Sequence, residues 1–252
     1  MSFDEHSADY SQKVDRALAV VGLEHDFFFE AKVRQILEAR RRLGACAAER
    51  PERQWLPSLG QPTLPAVPAR LAASGAVRVL EIGCGIGLLT QRLRPLFNAV
   101  WGIDPSISSL GQAAARGGRM IAADGLCTPF AAESFDMVIA VCVLHHVPVD
   151  QRAAFLAEAA RITRRGGLVL LCEHNPWNPL TRIVVGRCEL DRDAVLLAQP
   201  EARRRLTAAG LSNVRARYIL FFPWRGAVWR WLEARLAWLP LGGQYVIDAI
   251  RR

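Results

Sequence analysis

Apolar and polar positions follow two rhythms along this chain, and the change between them falls near residue 77. From Val77 onward short apolar runs alternate with stretches of helical spacing, the pattern of a mostly parallel sheet with helices on both faces. The runs predict strands at Arg78 to Ile82, Ala99 to Ile103, Arg119 to Ala123, Met137 to Val141, Leu168 to Cys172, Asn213 to Phe222 and Tyr245 to Ile250. Helices are expected at Leu88 to Leu96, Ser106 to Ala115, Asp150 to Thr163 and Asp191 to Ala209, the last with Asp191 as its N-cap. Before residue 77 only helices are expected, at Ser11 to Val21 and Asp26 to Leu43. The second would place Phe29, Val33, Ile36, Leu37 and Arg40 on one side. Pro51, Pro57, Pro62, Pro65 and Pro68 then break the chain into a linker. The expected organisation is a helical extension with its Pro-rich linker over residues 1–75 and an α/β domain over residues 76–252.

Composition adds little to that picture but removes several function classes. At 252 residues and 51% hydrophobic content the chain can bury a full core and is not disordered. The net charge of +8 raises nucleic acid or an anionic membrane as partners. Only Lys13 and Lys32 are lysines, however, and no RNA-binding signature or lysine-rich tract is present, so no nucleic-acid partner is expected. The six cysteines show no CxxC spacing and no accompanying histidine pattern, so they read as buried thiols and no metal is expected. Met1 to Tyr10 lacks the basic start and apolar core of a secretory signal, and no run reaches the roughly 18 apolar residues needed to span a bilayer. A cytoplasmic location follows as the expectation.

The chemistry concentrates between Val79 and Val147. In VLEIGCGIGLLT an apolar strand closes on Glu81, and Gly83, Gly85 and Gly87 follow at every second position before a helix begins. Such a turn takes backbone angles that side chains forbid and lets a ligand lie against the main chain. A dinucleotide fingerprint needs its third glycine where this chain has Leu88, which argues against a nucleotide-dependent oxidoreductase. VWGIDPS then ends a second strand at Asp104, a carboxylate placed to accept from two ribose hydroxyls, and MIAADGLCTPF ends a third at Asp124.

This ordered set resembles the class I S-adenosylmethionine-dependent methyltransferases, in particular the methyltransferase type 11-like family. The resemblance implies a Rossmann-like seven-stranded sheet whose last strand runs antiparallel, with S-adenosylmethionine as cofactor. It assigns the cofactor to Glu81, Gly83, Cys84, Gly85, Gly87, Asp104, Asp124, Gly125, Leu126 and Cys142, with Asp124 meeting the adenine amino group. In related enzymes an N-terminal helix lies over the pocket; Tyr10, Phe28 and Lys32 are the lid candidates, with plain packing as the alternative. His145 and His146, just after the fourth strand, are the candidate bases. If strand alternation persists, only one of them faces the cleft. Two Asn-Pro steps after the fifth strand make a rigid polar loop, and Phe28, His174, Asn175, Asn178 and Arg182 are the candidate substrate residues.

The segment Phe221 to Leu239 carries Trp224, Trp229, Trp231 and Trp238 among Arg225, Arg230 and Arg235. Trp224, Trp231 and Trp238 would share one helix face, which suits either a core-packing helix or an interfacial one. The expected function is methyl transfer to a small-molecule or lipid-like acceptor by O-, C- or N-methylation, with peripheral membrane contact through this segment and the oligomeric state open. The alternatives are a non-catalytic S-adenosylmethionine-binding protein and a membrane-associated accessory factor.

Overall fold

The computed structural model describes residues 25–47, 77–97 and 99–252. The helix expected at Ser11 to Val21, Tyr10 and the Pro-rich linker lie outside them. The elements run α1 (His25–Ala47), β1 (Arg78–Ile82), α2 (Leu88–Leu93), β2 (Ala99–Asp104), α3 (Ile107–Ala115), β3 (Arg119–Ala122), β4 (Phe135–Val141), α4 (Arg152–Ile162), β5 (Thr163–His174), α5 (Pro179–Arg187), α6 (Gln199–Ala208), β6 (Leu211–Ile219), α7 (Ala227–Leu236) and β7 (Gln244–Arg251). The strands form one sheet in the order β3-β2-β1-β4-β5-β7-β6, with β7 antiparallel to both its neighbours and the other pairs parallel.

Strand alternation sorts the core into two layers. Val79, Met137, Ile139, Leu168 and Leu170 point to one face, where Phe29, Ile36 and Leu43 of α1 and Leu89 and Leu93 of α2 cover them. Leu80, Val138, Ala140, Val169 and Leu171 point to the other, beneath Phe155 and Leu156 of α4 and Ala202 and Leu206 of α6. Helix α1 therefore belongs to the same core as the sheet. Its outer residue Arg40 stays exposed, stacks over Phe97 at 4.9 Å and donates to the Leu96 carbonyl at 3.0 Å.

Local chemistry sets the helix starts nearest the strand ends. Ser106 accepts from the Ser109 N–H at 3.1 Å and caps α3, while Asn178 accepts from the Thr181 N–H at 2.9 Å and, with Pro179 at the first position, starts α5. After β3 at the sheet edge the chain returns to pair β4 on the free side of β1, so the strand order reverses between β1 and β4. Open α/β sheets bind ligands at the carboxyl ends of the strands at such a point.

Three expectations fail in detail. Asp191 does not cap a helix running to Ala209: it ends a short 3-10 turn at Glu189–Asp191, the Val195 N–H bonds the His145 carbonyl at 2.9 Å, and α6 starts at Gln199. The sixth strand stops at Ile219 because Leu220 turns to φ 63°, where Glu233 accepts from the Leu220 and Phe221 N–H groups. The three tryptophans do not share a helix face, and of the two readings of this segment the core-packing one fails. α7 buries no residue, Trp224 and Trp238 lie outside it, and Trp224, Trp231 and Trp238 are 54%, 55% and 74% exposed.

Candidate active site

A cavity of about 500 Å³ opens at the carboxyl ends of β1, β2 and β4, within the range of small-molecule and cofactor sites. Its floor is the glycine turn. Gly83 and Gly85 take φ of 71° and 51°, and the Gly83 and Cys84 N–H groups donate to the Ile103 carbonyl at 2.8 and 3.0 Å, tying the turn to β2. A Cβ on Gly85 would meet no atom within 4 Å, so the main chain there is bared to the cavity. Gly87 serves packing instead. It does not line the cavity, and a Cβ on it would stand 2.7 Å from the Ala113 Cβ of α3.

The acidic positions divide by environment. Asp104, nearly buried, accepts from the Gly85 N–H at 2.8 Å and the Ser106 N–H at 2.9 Å, so one carboxylate fixes both the turn and the strand end while lining the cavity. Asp124 is exposed at the rim, accepting from the Leu126 N–H at 2.9 Å, with Gly125 and Leu126 beside it on the wall. Glu81 is buried under the turn and accepts from the Thr90 hydroxyl. Burial pushes its carboxyl up to about 8, against the Thr90 bond and the charge of Lys32.

Helix α1 closes one side with Phe27, Phe28, Phe29 and Lys32. The Lys32 ammonium reaches the Cys142 sulfur at 3.7 Å, and Gln244 Nε2 stands 3.4 Å from the same atom. Cys142 sits directly after β4 with φ 57°, which turns its side chain into the cavity. Burial alone would raise this thiol, but the Lys32 and His174 charges outweigh it and bring it down to about 7.

Only one of the two histidines faces the cavity, although β4 ends at Val141 and both lie in the turn beyond it, so the turn and not strand alternation separates them. His146 lines the cavity, and its Nε2 lies 3.3 Å from the Asp191 carboxylate. His145 is 1% exposed and does not line the cavity; Nδ1 bonds Glu173, and Nε2 lies 3.4 Å from Asp191. Glu173 also accepts from the Val143 and Leu144 N–H groups at 3.1 and 2.7 Å, holding the turn after β4 in place. Burial opposes a charge on His145, but Glu173 and Asp191 outweigh it and push the imidazole up to about 10. A buried group already carrying its proton near neutrality does not serve as a base for a substrate it cannot touch.

Among the other substrate candidates, Phe28, His174 and Asn178 line the cavity. Asn175 does not: it is fully buried and its amide donates to the Pro240 and Gly242 carbonyls at 3.0 and 2.8 Å, pinning the loop to the β7 approach. Arg182 does not either, because α5 turns it to solvent. Reading the sequence left out Asp191, Gln244 and the partnership of Glu173 with His145, since these come from distant segments.

Fold and floor together give a Rossmann-like domain with the architecture of the S-adenosylmethionine-dependent methyltransferases, and residues 80–171 match a family model described as a methyltransferase domain. Two relatives are named ubiquinone biosynthesis O-methyltransferase. The one from Rhodopseudomonas palustris is 34% identical over 116 residues, covering 44% of this chain and 45% of its own; the one from Bradyrhizobium diazoefficiens is 36% identical over 118 residues, covering 44% and 46%. The chain thus spans about half the length of the relatives it matches. Among solved structures, an S-adenosylmethionine-dependent methyltransferase from Thermotoga maritima, titled a possible histamine N-methyltransferase, superposes with a TM-score of 0.63. It is 20% identical and covers 99% of this chain and 98% of its own. Phosphoethanolamine N-methyltransferase 2 of Haemonchus contortus, in complex with S-adenosyl-L-methionine, gives 0.52 at 17% identity over 70% of this chain and 49% of its own.

The Asp104 geometry yields a direct expectation. Asp104→Ala removes a charged acceptor at the cavity wall, and such hydrogen bonds contribute about 1.5–3 kcal/mol each. Calorimetry should show affinity for S-adenosylmethionine falling by about tenfold or more while thermal unfolding stays cooperative. Unchanged affinity would take Asp104 off the ribose.

Proposed function

We propose that this protein transfers a methyl group from S-adenosylmethionine to a hydroxyl of a small, largely apolar or lipid-like acceptor. The observation that supports it is one cavity lined both by the glycine turn and Asp104 and by His146, Asp191 and His174. Bound there, S-adenosylmethionine supplies a methyl group on a positively charged sulfur. The chain's own part is alignment and exclusion of water. Gly83, Gly85, Asp104 and Asp124 hold the nucleoside end, and Phe28 and Lys32 of α1 cover it. His146 receives the acceptor proton, with Asp191 orienting the imidazole. The relatives' printed names, O-methyltransferases of a quinone pathway, favour oxygen as the acceptor atom.

The test is calorimetry with S-adenosylmethionine and its demethylated product, NAD serving as control, followed by labelled-methyl transfer into phenolic acceptors and extracted lipids. Binding of both methyl-cycle ligands and label in an extractable product are expected. Binding of NAD with neither methyl-cycle ligand would overturn the reading, and cofactor binding without label in any acceptor would leave a binding protein.

A lipid-like acceptor is favoured by the surface beside the cavity mouth. Trp224, Val228, Trp231, Trp238 and Leu241 are all more than half exposed, and Phe221 and Phe222 lead from them into the cavity. Arg225, Arg230 and Arg235 stand among them, Arg235 over the Trp231 ring at 4.4 Å. No helix among the described residues is long and apolar enough to cross a membrane, so the contact proposed is peripheral. Each arginine near an anionic surface adds about 1 kcal/mol. The protein should therefore sediment with phosphatidylserine-containing vesicles at low salt, release at high salt, and lose most binding in a Trp231→Ser/Trp238→Ser pair. Absence of co-sedimentation at low salt would remove the membrane contact.

A further inference from the structure

Sulfur atoms around the cavity divide by what faces them. Cys84 donates to the Gly85 carbonyl at 3.8 Å and Cys172 to Gln244 Oε1 at 3.6 Å, so both sit beside acceptors and keep their protons. Burial pushes both thiols up. Cys142 is placed the other way round. It accepts from the Lys32 ammonium at 3.7 Å and from Gln244 Nε2 at 3.4 Å, two donors that favour the ionised sulfur. One amide thus sorts the two cysteines, its oxygen toward Cys172 and its nitrogen toward Cys142. Lys32 is the only lysine among the described residues, and its ammonium bonds this sulfur. An ammonium held in a cavity wall beside Phe28 and Phe29 is costly without a negative partner. Glu81, the other acid near it, is pushed up to about 8 and is largely protonated at neutral pH, which leaves Cys142 as the counter-charge. The other titratable groups facing the sulfur are His174, Glu173 and Cys172 of β5 and His145 in the turn after β4, with Glu173 bound to His145.

We propose that Cys142 is a nucleophilic thiolate inside the cavity, a modification site for small α,β-unsaturated carbonyl compounds, and that its adduct shuts the cavity to S-adenosylmethionine. The cavity of about 500 Å³ opens to solvent with largely aromatic and aliphatic walls, which admit compounds of that class, and the φ of 57° at Cys142 turns the sulfur into it. The sulfur adds to the β-carbon. One C–S bond forms, the alkene electron pair moves to the carbonyl oxygen, and the enolate takes a proton from solvent. No oxidant and no leaving group is needed. Lys32 is the positioning residue, holding the sulfur ionised. Gly83 and Gly85 line the same cavity, so a group fixed on Cys142 occupies space the cofactor needs. That last consequence rests on the methyl-transfer reading above, whereas the thiol chemistry does not.

The experiment treats the full-length protein with N-ethylmaleimide and follows each cysteine by peptide mass spectrometry across pH, with and without S-adenosylmethionine. At about pH 6.5 the half-buried Cys142 should be labelled ahead of the exposed Cys127, its rate rising through an inflection at about 7. Lys32→Met should move that inflection upward and slow labelling at neutral pH by about fivefold or more, and Lys32→Arg should restore it. S-adenosylmethionine should protect Cys142, and the labelled protein should no longer bind S-adenosylmethionine in calorimetry. In Cys142→Ser the same treatment should leave cofactor affinity where it was before treatment. Circular dichroism establishes that the variants fold. Labelling of Cys142 no faster than Cys127, an unshifted inflection in folded Lys32→Met, or full cofactor binding by the labelled protein overturns the proposal. If Cys142 resists the reagent while untreated protein binds S-adenosylmethionine, the thiol inference alone has failed; if untreated protein does not bind S-adenosylmethionine, the methyltransferase reading has failed, and with it the closure of the cavity.

Discussion

Replacing His146 with glutamine is expected to lower turnover by about 10²-fold to 10⁴-fold while leaving affinity for S-adenosylmethionine within a few-fold of wild type. Glutamine keeps most of the volume and can still donate to Asp191, but it cannot receive a proton from the acceptor. His146 is the member of the pair that lines the cavity, so the loss should fall on kcat. His145→Gln acts differently. It leaves Glu173 buried without its partner, and its damage should appear first as reduced stability. Steady-state kinetics and cofactor calorimetry on both variants separate these outcomes, and near wild-type kcat in His146→Gln would place the proton acceptor elsewhere, with His174 the next imidazole on the wall.

The second large effect is structural and reaches the cofactor indirectly. Asp248 is fully buried in the middle of β7 and pairs with Arg217 of β6 at 2.6 Å and with Arg42 of α1. Removing one partner of a buried charge pair costs about 3–5 kcal/mol, because the charge left behind is uncompensated. Both arginines retain some solvent access, so Asp248→Ala should fall near the lower end, about 3 kcal/mol in denaturant unfolding. Arg42→Ala should cost less, since Asp248 keeps Arg217. It should still weaken S-adenosylmethionine binding, because α1 carries Phe28 and Lys32 over the cavity. A variant with loosened α1 and unaltered cofactor affinity would mean that α1 supports the core without covering the ligand.

β1, β2 and β4 were legible in the sequence to within two residues, because central parallel strands are buried on both faces and read as continuous apolar runs, whereas β5 runs from Thr163 to His174, well beyond the Leu168 to Cys172 expected. The glycine turn and Asp104 were legible for a related reason. Their roles depend on backbone geometry over a few neighbouring residues, which local sequence fixes. The edge of the fold was less so: β6 stops early at Leu220, whose N–H is taken by Glu233 of α7, a bond that no local pattern announces.

By itself the sequence determined the class of fold, the positions of its central strands along the chain and the glycine turn at the cavity floor, all of which rest on hydrophobic period and glycine geometry. The tertiary structure decided which histidine faces the cavity, that Asn175 holds a loop and Arg182 faces solvent, that α7 lies on the surface, and that Lys32 meets Cys142. It also brought Asp191 to His145 and His146, where reading along the chain had made it a helix cap. These are contacts between segments far apart in sequence, set by how helices and loops dock on the sheet, and a side chain's chemistry is fixed by the charge and burial it meets there.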